Sequence, residues 1–270
     1  MKGRLKKEIV ILGSGGMLGQ MVYQYFTAAG EKVTRMDERF SYIDKASYSA
    51  YLRSLENAIV INCIGKIKQK TDEANDLLQV NTILPAELRN CLKEAVILIH
   101  PSTDCVFNGE KGEPYPAGHI ADATDDYGWS KRLGEVVLAG RRNTLVPRVS
   151  IIGPDKNLQG KGLLAWVMSN PPGTTIRGFT NHLWNGITTL EWCRQVERFL
   201  LENDRFDFRL IQYGTAEHYT KYEMLNLFNK VFNLQLHIEP MATTLPVDRR
   251  LAPDIICRPL IDQLTDLSVF

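Results

Sequence analysis

Tyr127 and Lys131 stand four residues apart in "YGWSK", a spacing that brings both onto one face of a helix. A phenol beside an ammonium is a proton-transfer pair. The ammonium favours tyrosinate electrostatically and can hold a ribose hydroxyl, while the neutral phenol is suited to protonating a carbonyl oxygen. Upstream, "HPSTDCVF" sets Ser102, Thr103 and Asp104 directly after an apolar run, at the kind of strand edge where α/β proteins build ligand sites. Thr103 can donate a hydrogen bond to a substrate oxygen. Ser102 either finishes the turn or contacts a cofactor, and Asp104 either shapes the loop as a local acceptor or meets sugar hydroxyls. A Tyr/Lys pair alone is common on protein surfaces, so its weight comes from what accompanies it.

That companion lies near the start of the chain. In "GSGGMLG", Gly13, Gly16 and Gly19 follow the apolar run "EIVIL" and open a segment of helical spacing, "MLGQMVYQYFTAAG". Glycines so placed permit a tight turn and close approach of a phosphate, and the helix start offers unpaired amides to the anion. The spacing is GxxGxxG rather than GxGxxG, with Gly15 as an additional glycine. Met17 and Leu18 fall inside the same turn. Asp37 ends the next apolar run, where a carboxylate accepts hydrogen bonds from adenosine ribose hydroxyls and favours NADH. Arg35 and Arg39 beside it match a phosphate and keep NADPH open. Cys63, Ile64 and Gly65, closing "AIVINCIG", complete the expected cofactor wall.

To hold these residues together, strands must end side by side. Strands are expected at Glu8 to Leu12, Lys32 to Asp37, "AIVINCIG", "VILIH" and "TLVPRVSIIG", with helices between them. One long helix is expected in "NDLLQVNTILPAELRNCLKEA", bent or interrupted at Pro85. Later, "TLEWCRQVERFLLEN" reads as helix, "FDFRLIQYG" as a further strand, and "YTKYEMLNLFNKVFNL" as helix. A tail with Pro240, Pro246, Pro253 and Pro259 follows. The alternation predicts an α/β fold, a Rossmann-like, mostly parallel doubly wound sheet with a smaller C-terminal substrate-binding region. Residues 1–150 are the expected NAD(P)-binding core and 151–270 a mixed region forming a substrate cap, with elements at about 186–213 returning to the core.

Composition narrows the partners. Lys and Arg number 32 against 31 Asp and Glu, a formal charge of +1, which gives no global reason to expect nucleic acid or an anionic membrane. No run approaches a membrane span, and the basic start leads into only a brief apolar stretch, so a cytoplasmic protein is expected. The cysteines lack CxxC spacing and the histidines form no HExxH, so the thiols read as structural and no metal site is expected.

Taken in order, "GSGGMLG", "VNTILPAELRNC", "STDCVFNG", "YGWSKRLGE" and "PRVSIIG" resemble the extended short-chain dehydrogenase/reductase family, in particular its dTDP-4-dehydrorhamnose reductase branch. Weaker likeness continues through "NGITTLEWCRQV", "YGTAEHYTKYEMLNLF" and "RPL". The resemblance implies reduction of a 4-keto group on a nucleotide-activated deoxysugar by NADH or NADPH. Carried onto this chain, it implies that Thr103 orients the keto oxygen, Tyr127 supplies the proton, and Lys131 supports Tyr127 and binds nicotinamide ribose. Asn81 in "VNT" matches the family's asparagine, which organises backbone or a relay water; helix capping is the alternative. Arg249 and Arg258 match a diphosphate, with surface ion pairing the alternative for each. Trp184 and Tyr213 suit core packing first and base or sugar stacking second. A homodimer is compatible with the resemblance.

The chain departs from the branch at Ile151, where a tryptophan is the pattern, at Ala117 in place of an acidic residue, and at Thr124 in place of proline. These changes leave the proton-donor pattern intact and leave the sugar open. An epimerase is the neighbouring reading. A 4,6-dehydratase is disfavoured because its pattern follows the threonine with Asp-Glu, where this chain has Asp104-Cys105. A non-catalytic nucleotide-binding subunit is the alternative of another class.

Overall fold

A computed structural model describes residues 4–36, 38–68, 71, 73–155 and 162–270. The expected cofactor residue Asp37 lies outside the described residues. The chain runs β1 (Glu8–Leu12), α1 (Met17–Ala28), β2 (Val33–Met36), α2 (Ala46–Ser54) and β3 (Ala58–Asn62). It continues through α3 (Ala74–Leu78), a π-helical turn (Gln79–Ile83), α4 (Leu84–Cys91), β4 (Ile97–Ile99), a 3-10 turn (Asp104–Val106), α5 (Asp126–Leu138) and β5 (Thr144–Arg148). After β6 (Ile151–Ile152) come α6 (Leu163–Met168), β7 (Thr175–Phe179), β8 (His182–Trp184), β9 (Ile187–Thr188), α7 (Thr189–Glu202) and β10 (Arg209–Thr215). The last elements are β11 (Tyr219–Thr220), α8 (Lys221–Val231), β12 (His237–Met241), β13 (Val247–Asp248), β14 (Ile255–Cys257) and α9 (Leu260–Val269).

Seven strands form one sheet in the order β14-β10-β5-β4-β3-β1-β2, every neighbouring pair parallel. Strands covered on both faces read as unbroken apolar runs, and Ile9 to Leu12 and Ala58 to Ile61 are buried throughout. On one face Ile9, Ile11, Ile59 and Ile61 pack with Val22 and Phe26 of α1 and Trp192 and Val196 of α7. On the other, Val10, Leu12, Val60 and Leu98 pack with Leu52 of α2, Leu88 of α4 and Leu138 of α5. This is a Rossmann-like doubly wound sheet with a smaller C-terminal region.

β1 lies between β2 and β3, and the chain changes direction across the sheet there. The carboxyl ends of β1 and β3 therefore flank the crevice in which open α/β sheets bind ligands. The segment from Ile187 to Thr215 returns to the core, with α7 covering one face and β10 pairing with β5. The smaller region is built on α8, which carries the β7–β12 pair and adjoins β8 and β11, with β13 pairing to β8.

Two expected elements differ. The single long helix is three pieces: α3, the π turn and α4, with Pro85 in the first turn of α4. Proline, which has no N–H to donate, sits there where the π turn hands over to α4. "TLVPRVSIIG" divides after Arg148, and β6 leaves the sheet to pair with β9.

Candidate active site

The crevice over β1 and β3 encloses about 430 Å³, within the range of small-molecule sites. One end is the glycine turn. Gly13 has φ of +78°, the left-handed region that favours glycine, and a Cβ built on Gly19 would stand 2.1 Å from the Gly13 carbonyl oxygen. Any larger residue at Gly19 would push α1 off the turn. No side chain caps α1, and Gly16, Met17 and Leu18 line the crevice at its start, which presents uncapped amides and the positive end of the helix dipole. Cys63, Ile64 and Gly65 form the wall beyond β3. This cradle fits the diphosphate of a dinucleotide.

At the other end lie Ser102, Thr103, Asp104, Cys105, Tyr127 and Lys131. Tyr127 and Lys131 follow one another by a turn on α5. The Asp125 carboxylate caps that helix by accepting the Gly128 amide at 2.7 Å. Thr103 ends the run after β4 as the cap of the 3-10 turn. Its hydroxyl accepts the Cys105 amide at 3.2 Å and donates to Asp104 Oδ1 at 3.0 Å. The Lys131 ammonium donates to the Pro101 carbonyl at 2.7 Å, which fixes it beneath the crevice. Burial lowers its pKa to about 8, with Glu135 acting in the opposite sense. Enclosure pushes the Tyr127 phenol above its usual range, the Cys105 and Asp104 side chains adding to the effect and a hydrogen bond with Thr103 opposing it. At neutral pH the pair is thus a protonated phenol beside an ammonium. Burial, then Asp104, pushes the Cys105 thiol up to about 12, so it is protonated as well.

Asn81 is buried in the π turn and braces the site. Its amide donates to the Lys66 carbonyl at 2.8 Å and to Ser130 Oγ at 2.9 Å, its oxygen accepts the Lys66 amide at 3.0 Å, and Ser130 Oγ donates to the Tyr127 carbonyl at 2.8 Å. The structure gives Asn81 a backbone-organising position rather than a cap. Beneath Lys131, buried His100 meets Asn62 at 2.9 Å, and burial then the Lys131 charge holds its pKa well below the ordinary histidine value.

Other sequence expectations fall outside this group. Arg249 does reach the crevice, its Nε donating to the Phe107 carbonyl at 3.0 Å and its Nη1 lying 3.8 Å from Cys105 Sγ. Arg258 does not. Its guanidinium is engaged by Glu191 at 3.2 Å and Asp266 at 2.7 Å, the ion pairing that stood as the alternative to a diphosphate contact. Arg39 is exposed beyond β2, and Arg35 stacks over the Tyr23 ring at 4.8 Å. Trp184 and Tyr213 are core residues. Ser102 lines the crevice, but its hydroxyl donates to Glu135 at 2.6 Å. Sequence reasoning missed Lys66 and Lys68 on the wall after β3; the lysine-rich "GKIKQK" was the available signal. Lys66 pairs with Asp76, and Lys68 with Asp125 at 3.3 Å. All five cysteines are free thiols. Among the described residues, no His/Cys/Asp/Glu cluster could hold a metal ion and no helix is long and apolar enough to cross a membrane.

The family model for the RmlD substrate binding domain matches residues 7–167, more than half of the chain. The chain belongs to this family. It is 31% identical over 152 residues to a dTDP-4-dehydrorhamnose reductase of Mycolicibacterium smegmatis, covering 54% of this chain and 46% of that protein. Over 137 residues it is 28% identical to the spore coat polysaccharide biosynthesis protein SpsK of Bacillus subtilis, covering 48% of each. The chain thus matches about half the length of these curated relatives. Among solved structures, the dTDP-4-dehydrorhamnose reductase of Bacillus anthracis in complex with NADP superposes with a TM-score of 0.83 at 15% identity, covering 98% of this chain and 99% of that one. The UDP-glucose 4-epimerase of Thermotoga maritima superposes with a TM-score of 0.77 at 16% identity, covering 97% of both chains. At these identities the structural likeness shows the fold alone.

Proposed function

We propose that this protein reduces the 4-keto group of a nucleotide-activated deoxysugar at the expense of NADH or NADPH. The observation that carries the reading is one crevice with an uncapped glycine cradle at one end and Thr103, Tyr127 and Lys131 at the other. The reduced nicotinamide, when bound, supplies the hydride. Thr103 orients the keto oxygen, and Tyr127 donates its phenolic proton to that oxygen as the carbon is reduced. Lys131 stabilises the resulting tyrosinate and holds the nicotinamide ribose, while Asn81 fixes the backbone around it. Arg249, reaching the crevice from the later part of the chain, meets the diphosphate; residues 151–270 then act in part as a substrate cap.

Family membership and curated relatives named as 4-keto sugar reductases support this reading. The protonated Cys105 thiol offers no base in place of a dehydratase's glutamate. The test is to challenge purified protein with a panel of nucleotide-linked 4-keto sugars. The reading expects one equivalent of reduced cofactor to be oxidised per keto group lost. Sugar inversion with only catalytic cofactor would make the protein an epimerase. Binding across the panel without turnover would sink the enzymatic reading.

A further inference from the structure

Glu135 and Arg148 meet behind the reacting residues with 1% and 2% of their side chains exposed. The guanidinium grips the carboxylate as a fork, Nε to Oε1 at 2.9 Å and Nη2 to Oε2 at 2.8 Å. Ser102 Oγ and Arg132 Nη1 donate to the same carboxylate at 2.6 and 2.9 Å. The remaining Arg148 Nη1 donates to Gln212 Oε1 at 3.2 Å and to the Ala117 carbonyl at 3.3 Å, and the Phe107 ring lies 5.0 Å from the guanidinium. Gln212 Nε2 in turn donates to the carbonyls of Tyr115 at 2.8 Å and Ala252 at 2.9 Å. A continuous chain of bonds therefore joins α5, β5 and β10 to segment 115–117 and to the stretch that presents Arg249.

A buried ion pair is weak evidence for stability, because an apolar pair of similar volume often holds a core as well. What a bidentate fork adds is a fixed distance and rotation between the elements that carry it. Several of the segments gripped here bear or adjoin a site residue. α5 carries Tyr127 and Lys131, Ser102 precedes Thr103, Arg148 precedes the crevice wall at Val149 to Ile152, and Ala252 follows Arg249. We propose that Glu135 and Arg148 are positioning residues, locking the helix of the proton donor to the substrate-side wall so that Tyr127, Thr103 and Arg249 keep one relative geometry. For its chemistry the proposal rests on the reductase reading; for its mechanics it does not.

The same carboxylate acts on the charge of Lys131. The charges coupled to that ammonium are Glu135 on its own helix and, just past β4, His100, which burial keeps neutral; the Pro101 carbonyl accepts from it at 2.7 Å. Lys66, across the crevice, is paired with Asp76. Although burial opposes its charge, Arg148, Ser102 and Arg132 hold the Glu135 carboxyl below its ordinary range, so the anion is present one turn from Lys131 and favours its protonated form. Removing the carboxylate moves the loss of the ammonium to lower pH.

The test compares the parent protein with a Glu135→Gln/Arg148→Met variant, which removes both members of the buried fork together and takes the Glu135 charge away from Lys131. The reporter amides are Tyr115, bonded to the Arg250 carbonyl at 2.8 Å, and Ala252, bonded to the Tyr115 carbonyl at 2.8 Å. In a folded, cooperatively melting variant, hydrogen exchange at both amides should quicken about tenfold together with that of α5. Reduced-cofactor affinity, read by fluorescence titration, should stay within about threefold, because the glycine cradle is untouched. kcat should fall more than KM rises, and the alkaline limb of kcat/KM should move down by about one pH unit. Parent-like exchange at Tyr115 and Ala252 with an unmoved limb would overturn the proposal. Where the double variant does not fold, Arg148→Lys, which keeps the charge and loses the fork, is read by the same exchange measurement. If parent and variant both bind cofactor and neither reduces a keto sugar, the exchange result still decides the lock, and only the reductase reading fails.

Discussion

The pH dependence of the reaction follows from where the structure puts Lys131. An ordinary lysine loses its proton around pH 10.5, but burial beneath the crevice brings Lys131 to about 8. In the proposed reaction the ammonium is the form that stabilises tyrosinate, so activity should require the protonated side chain and be lost as pH rises through that value. With a pKa of about 8, roughly nine-tenths of Lys131 is charged at pH 7 and about one-tenth at pH 9. kcat/KM should therefore fall about tenfold for each pH unit above its alkaline limb, which reports the protein before substrate binds. The assay is initial-rate loss of reduced-nicotinamide absorbance at saturating cofactor, from about pH 6 to about pH 10, for the parent and for Lys131→Met. The variant should lose the limb along with most of the neutral-pH rate. A limb in the ordinary lysine range, or one kept by Lys131→Met, would refute the reasoning.

Three other substitutions have defined outcomes. Tyr127→Phe removes the donor hydroxyl from a residue whose backbone is held by Ser130; turnover should drop about 10²- to 10⁴-fold while cofactor affinity, measured by fluorescence, is retained. Gly19→Ala places a Cβ 2.1 Å from the Gly13 carbonyl oxygen, so α1 must leave the turn; calorimetric titration should show cofactor binding weakened by at least about 2 kcal/mol. Glu87→Gln reports on a buried carboxylate outside the crevice lining. Burial works to raise the pKa of Glu87, but hydrogen bonds from Cys91, Lys45 and Ser49 outweigh it and bring the carboxyl to about 2. A depressed carboxyl pKa stabilises the fold above the unfolded value and loses that contribution as pH falls toward the folded one. Denaturant melts should show the variant weaker by about 1–2 kcal/mol at neutral pH, allowing for the partly exposed Lys45, with the difference vanishing between about pH 4.5 and pH 2.

The parts of the site legible in the sequence are those whose geometry is local. The glycine turn, the Tyr127–Lys131 turn of helix and the strand end at Thr103 are each set within a few residues, so spacing alone reveals them. The expected roles of arginines were less legible because guanidinium partners lie far along the chain. Arg258 is taken up by Glu191, a residue on α7, whereas Arg249 is carried to the crevice by a stretch that hydrogen-bonds to segment 107–115. The Glu135–Arg148 pair was invisible for the same reason, joining a helix to a strand through a buried fork. The Pro-rich tail hides three strands and a helix because β12, β13 and β14 exist only through pairing with β7, β8 and β10. The split of the long helix is subtler: a π turn sets Asn81 inward, and no spacing rule anticipates the extra residue.

Hydride delivery from the reduced cofactor to a sugar carbonyl, the step on which the proposed function stands, is read by isotope transfer. Protein is incubated with cofactor deuterated at the transferable C4 position and a nucleotide-linked 4-keto sugar, and the product is read by NMR. One deuterium is expected on sugar carbon 4 per keto group lost, the carbon-bound label being the stable record of hydride delivery. Product lacking deuterium at that carbon, or label retained in the cofactor while the sugar is unchanged, would contradict it.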